Sequence, residues 1–216
     1  LSAEWNRSDD AFGDGRVFQI IPLSLLVEWV KRNNKVNATN GFFLRTTAVP
    51  YIGLSGTESV LSLYADARGY IGFWAANNIV LAGRAQLGSM LGPSLEDISP
   101  QYLYYSGGAG TVRGQPYESL GIPVNNGLVG GRSILALSAE IRGKITDTIS
   151  LVGFYDVAAI DRSQFVDKNS LYQSGAGIGI RYDLGGLGPL RFDVAVPVDG
   201  DTGDGVQFYL GIGQAF

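Results

Sequence analysis

The sequence contains neither histidine nor cysteine. Without histidine it lacks the usual base of serine hydrolases and a leading zinc ligand, and with them the chemistry of membrane-barrel proteases and lipases. Without cysteine it has no disulfide framework and no thiolate metal site. These absences exclude most catalytic designs, so a non-enzymatic protein with no catalytic residue, no metal and no cofactor is expected. Charge is also scarce. Only 17% of residues are charged, where a soluble domain carries about 25%. The net charge of −4 argues against a nucleic-acid partner, which calls for a basic face.

Long apolar runs are missing too. The best candidate, residues 20–30, is interrupted by Pro22, Ser24 and Glu28, far short of the ~18 apolar residues that a membrane helix needs. Yet 45% of the chain is hydrophobic. A hydrophobic chain without a membrane helix is either a soluble β-protein or a transmembrane β-barrel.

What the sequence does have is alternation of period two, from end to end. Over residues 59–74, Leu61, Leu63, Ala65, Ala67, Ile71 and Phe73 share one face, and Ser62, Tyr64, Asp66, Arg68 and Tyr70 the other. Residues 133–142, 175–183 and 188–198 repeat the pattern, with Glu140, Arg142, Arg181, Arg191 and Asp193 on the polar faces. Further runs near residues 1–8, 16–32, 42–52, 79–89, 149–160 and 205–216 bring the expectation to about ten strands. Most reach nine residues, enough to cross a bilayer when tilted. Short connections, as at residues 75–78 and 184–188, alternate with longer polar ones, as in outer-membrane barrels. A soluble β-sandwich or lipocalin-like barrel would show the same alternation. Gly175, Gly177 and Gly179 on the polar face suit a crowded lumen better than an open surface. The first residues, Leu1 to Trp5, alternate as if already inside a strand, so the chain is expected to be a fragment lacking its N-terminal part.

The glycine-rich stretch GGAGTVRGQPYESL, residues 107–120, interrupts the strand rhythm. Its Val112-Arg113-Gly114 resembles the VRGF/VRGY loop of the outer-membrane assembly-factor superfamily, the group of BamA, TamA and the two-partner-secretion transporters. Other segments follow in family order. They are Gly130-Gly131 before the strand with Glu140, Gly153-Phe154-Tyr155-Asp156, Gly188-Pro189 ahead of Phe192-Asp193-Val194-Ala195-Val196-Pro197, and a terminal Phe216. The segments FDVAVP and QFYLGIG look closest to the TamA branch. Two positions depart from the pattern. Gln115 stands where the family has an aromatic, and Asp156-Val157-Ala158 replaces Asp-x-Gly.

The resemblance implies an all-β, antiparallel transmembrane β-barrel in the bacterial outer membrane, of which residues 1–216 form a C-terminal portion of a sixteen-stranded barrel. No POTRA domain is present in this stretch. The long loop at about residues 90–132 is expected to fold inward, where Arg113 meets Glu140 and Asp156 and acts as a latch with Val112 and Gly114. An arginine suits that role because its planar fork binds carboxylates bidentately. Tyr209, Gly211, Gly213 and Phe216 are implied to form a gate strand and C-terminal signal, with Phe216 facing outward alongside Phe208, Leu210 and Ile212. Such an edge is a template for strand addition. The implied partners are outer-membrane lipid, unfolded outer-membrane protein clients and a periplasmic protein reached through missing N-terminal domains, with self-association of the fragment also open. A two-partner-secretion pore and a passive porin-like barrel remain alternatives.

Other motifs carry less. The acidic segment at residues 199–205 has EF-hand letters, but Asp204 falls one place late and Leu210 occupies the bidentate glutamate position. Gly175-x-Gly-x-Gly lies inside a strand pattern and is no dinucleotide loop. Asn37-Ala38-Thr39 is a glycosylation sequon by letter only. Trp5, Trp29 and Trp74 suit an interfacial belt.

Overall fold

The computed structural model describes residues 3–55, 57–74, 78–200 and 205–216. Among these residues there are thirteen strands: β1 (Glu4–Asp10), β2 (Gly13–Pro22), β3 (Leu25–Arg32), β4 (Gly41–Leu54), β5 (Val60–Phe73), β6 (Ile79–Leu91), β7 (Ile122–Val124), β8 (Gly127–Val129), β9 (Ser133–Lys144), β10 (Ile149–Asp161), β11 (Leu171–Asp183), β12 (Pro189–Asp199) and β13 (Gln207–Ile212). Eleven of them build one antiparallel sheet in the order β1-β2-β4-β5-β6-β9-β10-β11-β12-β13, with β3 also on β4. Among the described residues β1 and β13 do not pair, so the sheet is an open barrel wall.

The sheet has ten staves because β2 and β3 are two halves of one. The sequence pattern suggests a single strand over residues 16–32. Pro22 has no N–H to continue the ladder, and the chain breaks after it. Leu23 restores the alignment by donating its N–H to the Pro50 carbonyl at 3.1 Å. Above the break β2 pairs with residues 51–54, and below it β3 pairs with residues 41–48. The short turn at residues 75–78 and the acidic segment at residues 199–205 lie largely outside the described residues.

The central staves β4, β5, β6, β9, β10 and β11 run 12–14 residues, ample to span a bilayer. Their register is fixed by the two faces, because a slip of one residue would exchange every side chain between them. On the outer face stand Ile71, Leu81, Leu87, Ile141, Leu151, Ile178 and Leu210, all exposed. On the inner face Asp66, Glu140, Arg142, Asp156, Arg181 and Asp193 are buried. Apolar residues outside and charges inside invert the usual order of a water-soluble protein.

Residues 92–132, between β6 and β9, account for the buried charges. This segment touches β1 through Tyr102 and Glu4, β5 through Tyr104 and Ser62, β6 through Gly110 and Arg84, and β13 through Gly114 and Tyr209. A segment in contact with both ends of a curved sheet lies inside the curve. Leu95, Ile98, Leu103, Ile122 and Val129 of this segment pack with Val60, Met90, Ile134 and Ile160 of the wall. The loop and the wall share one hydrophobic core.

Candidate functional site

The loop tip is held by a cluster of buried charges. Arg113 is only 2% exposed. Its Nε and Nη2 donate to the two carboxylate oxygens of Asp156, at 2.7 and 3.0 Å, and its Nη1 donates to Glu140 Oε1 at 2.6 Å. The Arg113 backbone N–H also donates to Asp156, at 3.1 Å. The guanidinium lies over the Phe154 ring, 3.6 Å from its centre, where the ring's negative face attracts the cation. Burial alone would push this guanidinium's pKa down. The hydrogen bond to Asp156 and the charges of Glu140 and Asp156 outweigh that and hold it above the ordinary arginine range.

Strand register puts these groups in place. Glu140 on β9 lies opposite Phe154 on β10, and Asp156 opposite Ser138, so both acids and the ring stand on one inner patch. The next stave, β11, presents Gly175, Gly177 and Gly179 to the same patch. A β-carbon on Gly175 would fall 2.0 Å from the Arg113 carbonyl oxygen, one on Gly177 2.4 Å from the Phe154 ring, and one on Gly179 1.9 Å from Asp193. The glycine stripe therefore makes the room in which the loop and its acids sit.

The neighbours of Arg113 complete the seat. Val112, fully buried, packs on Ala136 and Ala158. Ala158 is the residue that departs from the family's glycine, and its methyl lies in that contact. Gly114 has φ +95°, and a side chain there would meet the Val196 carbonyl at 2.4 Å, so only glycine fits the turn. Gln115, the other departure, uses its amide to donate to the carbonyls of Ser174 and Asp199 at 2.7 and 2.9 Å.

Of the residues singled out in the sequence, Val112, Arg113, Gly114, Glu140 and Asp156 come together here. Tyr209 of β13 joins them, because its hydroxyl accepts the Gly114 N–H at 2.9 Å. Gly211 faces inward next to the Arg191 guanidinium. The end of the chain differs from expectation. Strand β13 stops at Ile212, and Gly213, at φ +93°, turns residues 213–216 into the lumen. Phe216 is therefore buried on Ala38, Tyr70 and Ala82 instead of facing outward. Gln214 accepts from Arg181 Nε and donates to Asn37, both at 3.0 Å.

Sequence reasoning missed four members of the cluster. Asp193 accepts from Arg113 at 3.4 Å and pairs with Arg181 and Arg191. Arg142 donates to Glu140 at 2.8 Å. Alternation alone places all four on the inner face. What was lacking was the curvature that brings β12 round to β9.

Comparison with known proteins agrees with this architecture. Residues 3–216 match the family model described as Omp85 superfamily domain. Among solved structures, the chain is similar to the crystal structure of BamA from Haemophilus ducreyi lacking POTRA domains 1–3. The TM-score is 0.72 at 21% identity, over 90% of this chain and 42% of that one. The chain thus spans about two-fifths of the length of that relative.

Proposed function

The chain belongs to the Omp85 superfamily of the bacterial outer membrane, and on that premise we propose that it is barrel wall of a factor that inserts or secretes outer-membrane proteins. The work is non-enzymatic. Unfolded client strands add to the free edge of β13, driven by backbone pairing and by burial of their apolar face in lipid. A periplasmic partner acts through N-terminal domains, and autotransporter-type clients fit the TamA-like segments.

One observation carries this reading: the loop tip that holds Arg113 is hydrogen-bonded to the edge strand itself. Strand β13 pairs with β12 over six residues, from Leu190↔Ile212 to Ala195↔Gln207. Its neighbour β12 pairs with β11 from Asp183↔Pro189 as far as Ser174↔Asp199. The short edge strand is thus steadied from inside by Gly114 on Tyr209. Moving the loop frees the edge. A bore filled by residues 92–132 also supports this reading over an open passive pore.

The test is reconstitution of the protein, with its upstream chain, into lipid vesicles, followed by addition of an unfolded outer-membrane barrel as client. Vesicles carrying the protein are expected to fold the client faster than empty ones, and Leu210→Cys to form a disulfide with a cysteine on a client strand. Tyr209→Phe is expected to change the rate. Equal folding in empty vesicles and no cross-link at residue 210 would overturn the proposal.

A further inference from the structure

Beneath the Arg113 cluster, at the end of the barrel carrying the turns at residues 33–40, 145–148 and 184–188, lies a polar cavity of about 200 Å³. Arg142, Arg181, Ser150, Thr148, Asn78 and Gln214 are among its lining residues. The two arginines are 5% and 2% exposed, yet each keeps one guanidinium nitrogen buried without a partner among the described residues, Nη1 of Arg142 and Nη2 of Arg181. Buried donors of this kind are costly unless paired. Arg142 Nη2 also donates to the Phe216 carbonyl at 3.3 Å, and Lys144, Asp147 and Asp183 line the cavity as exposed residues, so the unmet donors at this site are those of the two buried guanidinium groups.

We infer that this cavity is a binding site for one small oxyanion, a phosphate or a carboxylate, held between Arg142 and Arg181. The space fits, since a single water takes about 30 Å³ and a tetrahedral oxyanion is only a few times larger. The chemistry fits as well, because guanidinium N–H groups match oxyanions in geometry and charge. The site also connects to the loop. Arg142 shares Glu140 with Arg113, and Arg181 shares Asp193 with it. A bound anion gives the two unpaired nitrogens a partner and stiffens the cluster on which the loop tip rests.

The purified protein, with its upstream chain, is titrated in detergent micelles with inorganic phosphate, or with acetate as the carboxylate arm, at fixed pH and ionic strength. The unfolding midpoint and trypsin cleavage after Arg113 are followed. The expected result is a midpoint that rises and saturates, with slower cleavage, for at least one of the two anions. Because changing either arginine disturbs the fold, the deciding variant is Ser150→Asp. Residue 150 is the register partner of both Lys144 and Arg181, so an aspartate there provides a carboxylate acceptor from within the wall. It is expected to raise the midpoint without added anion and to abolish the response. A midpoint that sodium chloride raises equally at matched ionic strength would overturn the inference, as would a response that survives Ser150→Asp.

Discussion

The carbonyl oxygen of Arg113 occupies the space in which Gly175 would carry a side chain, with only 2.0 Å between that oxygen and an added β-carbon. Backbone, unlike the end of a flexible side chain, cannot step aside cheaply. The loop tip and the β11 wall are therefore fitted to each other at a spot where neither the acids nor the guanidinium is touched.

Gly175→Ala is accordingly expected to unseat the loop while leaving the ion-pairing groups intact. Trypsin should then cut after Arg113, a bond protected in the parent by the burial of that residue. Gly69→Ala serves as the control, since a β-carbon there meets nothing within 4 Å. Equal protection of residue 113 in both variants would show that the close approach does not hold the loop.

Arg113→Ala strands Asp156 as a buried unpaired charge and leaves Glu140 to Arg142 alone, and losing one partner of such a set costs about 3–5 kcal/mol. Arg113→Lys keeps the charge but loses the fork that reaches both acids, so it should fall between parent and alanine. Urea unfolding in vesicles measures this. A cycle with Asp156→Ala should give a coupling of about 0.5–3 kcal/mol, and additive losses would remove the pair from the account.

The wall was legible in the sequence because lipid and lumen impose opposite chemistry on successive residues, which is why Leu137, Ala139 and Ile141 separate cleanly from Ser138, Glu140 and Arg142. The two acids Glu140 and Asp156 followed from that alternation. The break at residues 23–24 did not, because Pro22 is visible in the sequence but its register opposite Tyr51, with Leu23 bonded to Pro50, is not. Phe216 misled for a different reason. The alternation carries on through Gly213, and only the left-handed backbone there sends the last residues inward. Asp193 has no local signature as a partner of Arg113, because that contact exists only once the sheet has curved.

A second anchor of the loop titrates at high pH. The Tyr102 hydroxyl donates to Glu4 at 2.5 Å, and burial first, then the hydrogen bond and charge of Glu4, leave its pKa pushed up to about 12. Its folded value lies above the ordinary value near 10. The stabilisation is therefore complete below about pH 10 and is lost as pH rises toward 12. Tyrosinate absorbance should show one late-titrating component that vanishes in Tyr102→Phe and moves to lower pH in Glu4→Gln. A component unmoved by Glu4→Gln would dissociate this anchor from β1.

The outward face makes the last claim, and it separates a membrane wall from a soluble barrel. Ile178 sits midway along β11, 72% exposed, opposite Gly153 on β10 and Val194 on β12. On a water-facing surface Ile178→Arg would change stability by no more than about 0.5 kcal/mol. At the middle of a bilayer the same change costs about 2–4 kcal/mol, and near the interface about 0–1. Tyr172→Arg, also outward but close to the end of β11, provides the shallow comparison. Unfolding by urea in phosphatidylcholine vesicles should rank the position-178 variant well below the position-172 variant. Indistinguishable values would mean that this face does not meet acyl chains, because only depth in hydrocarbon makes one exposed arginine so much costlier than another on the same strand.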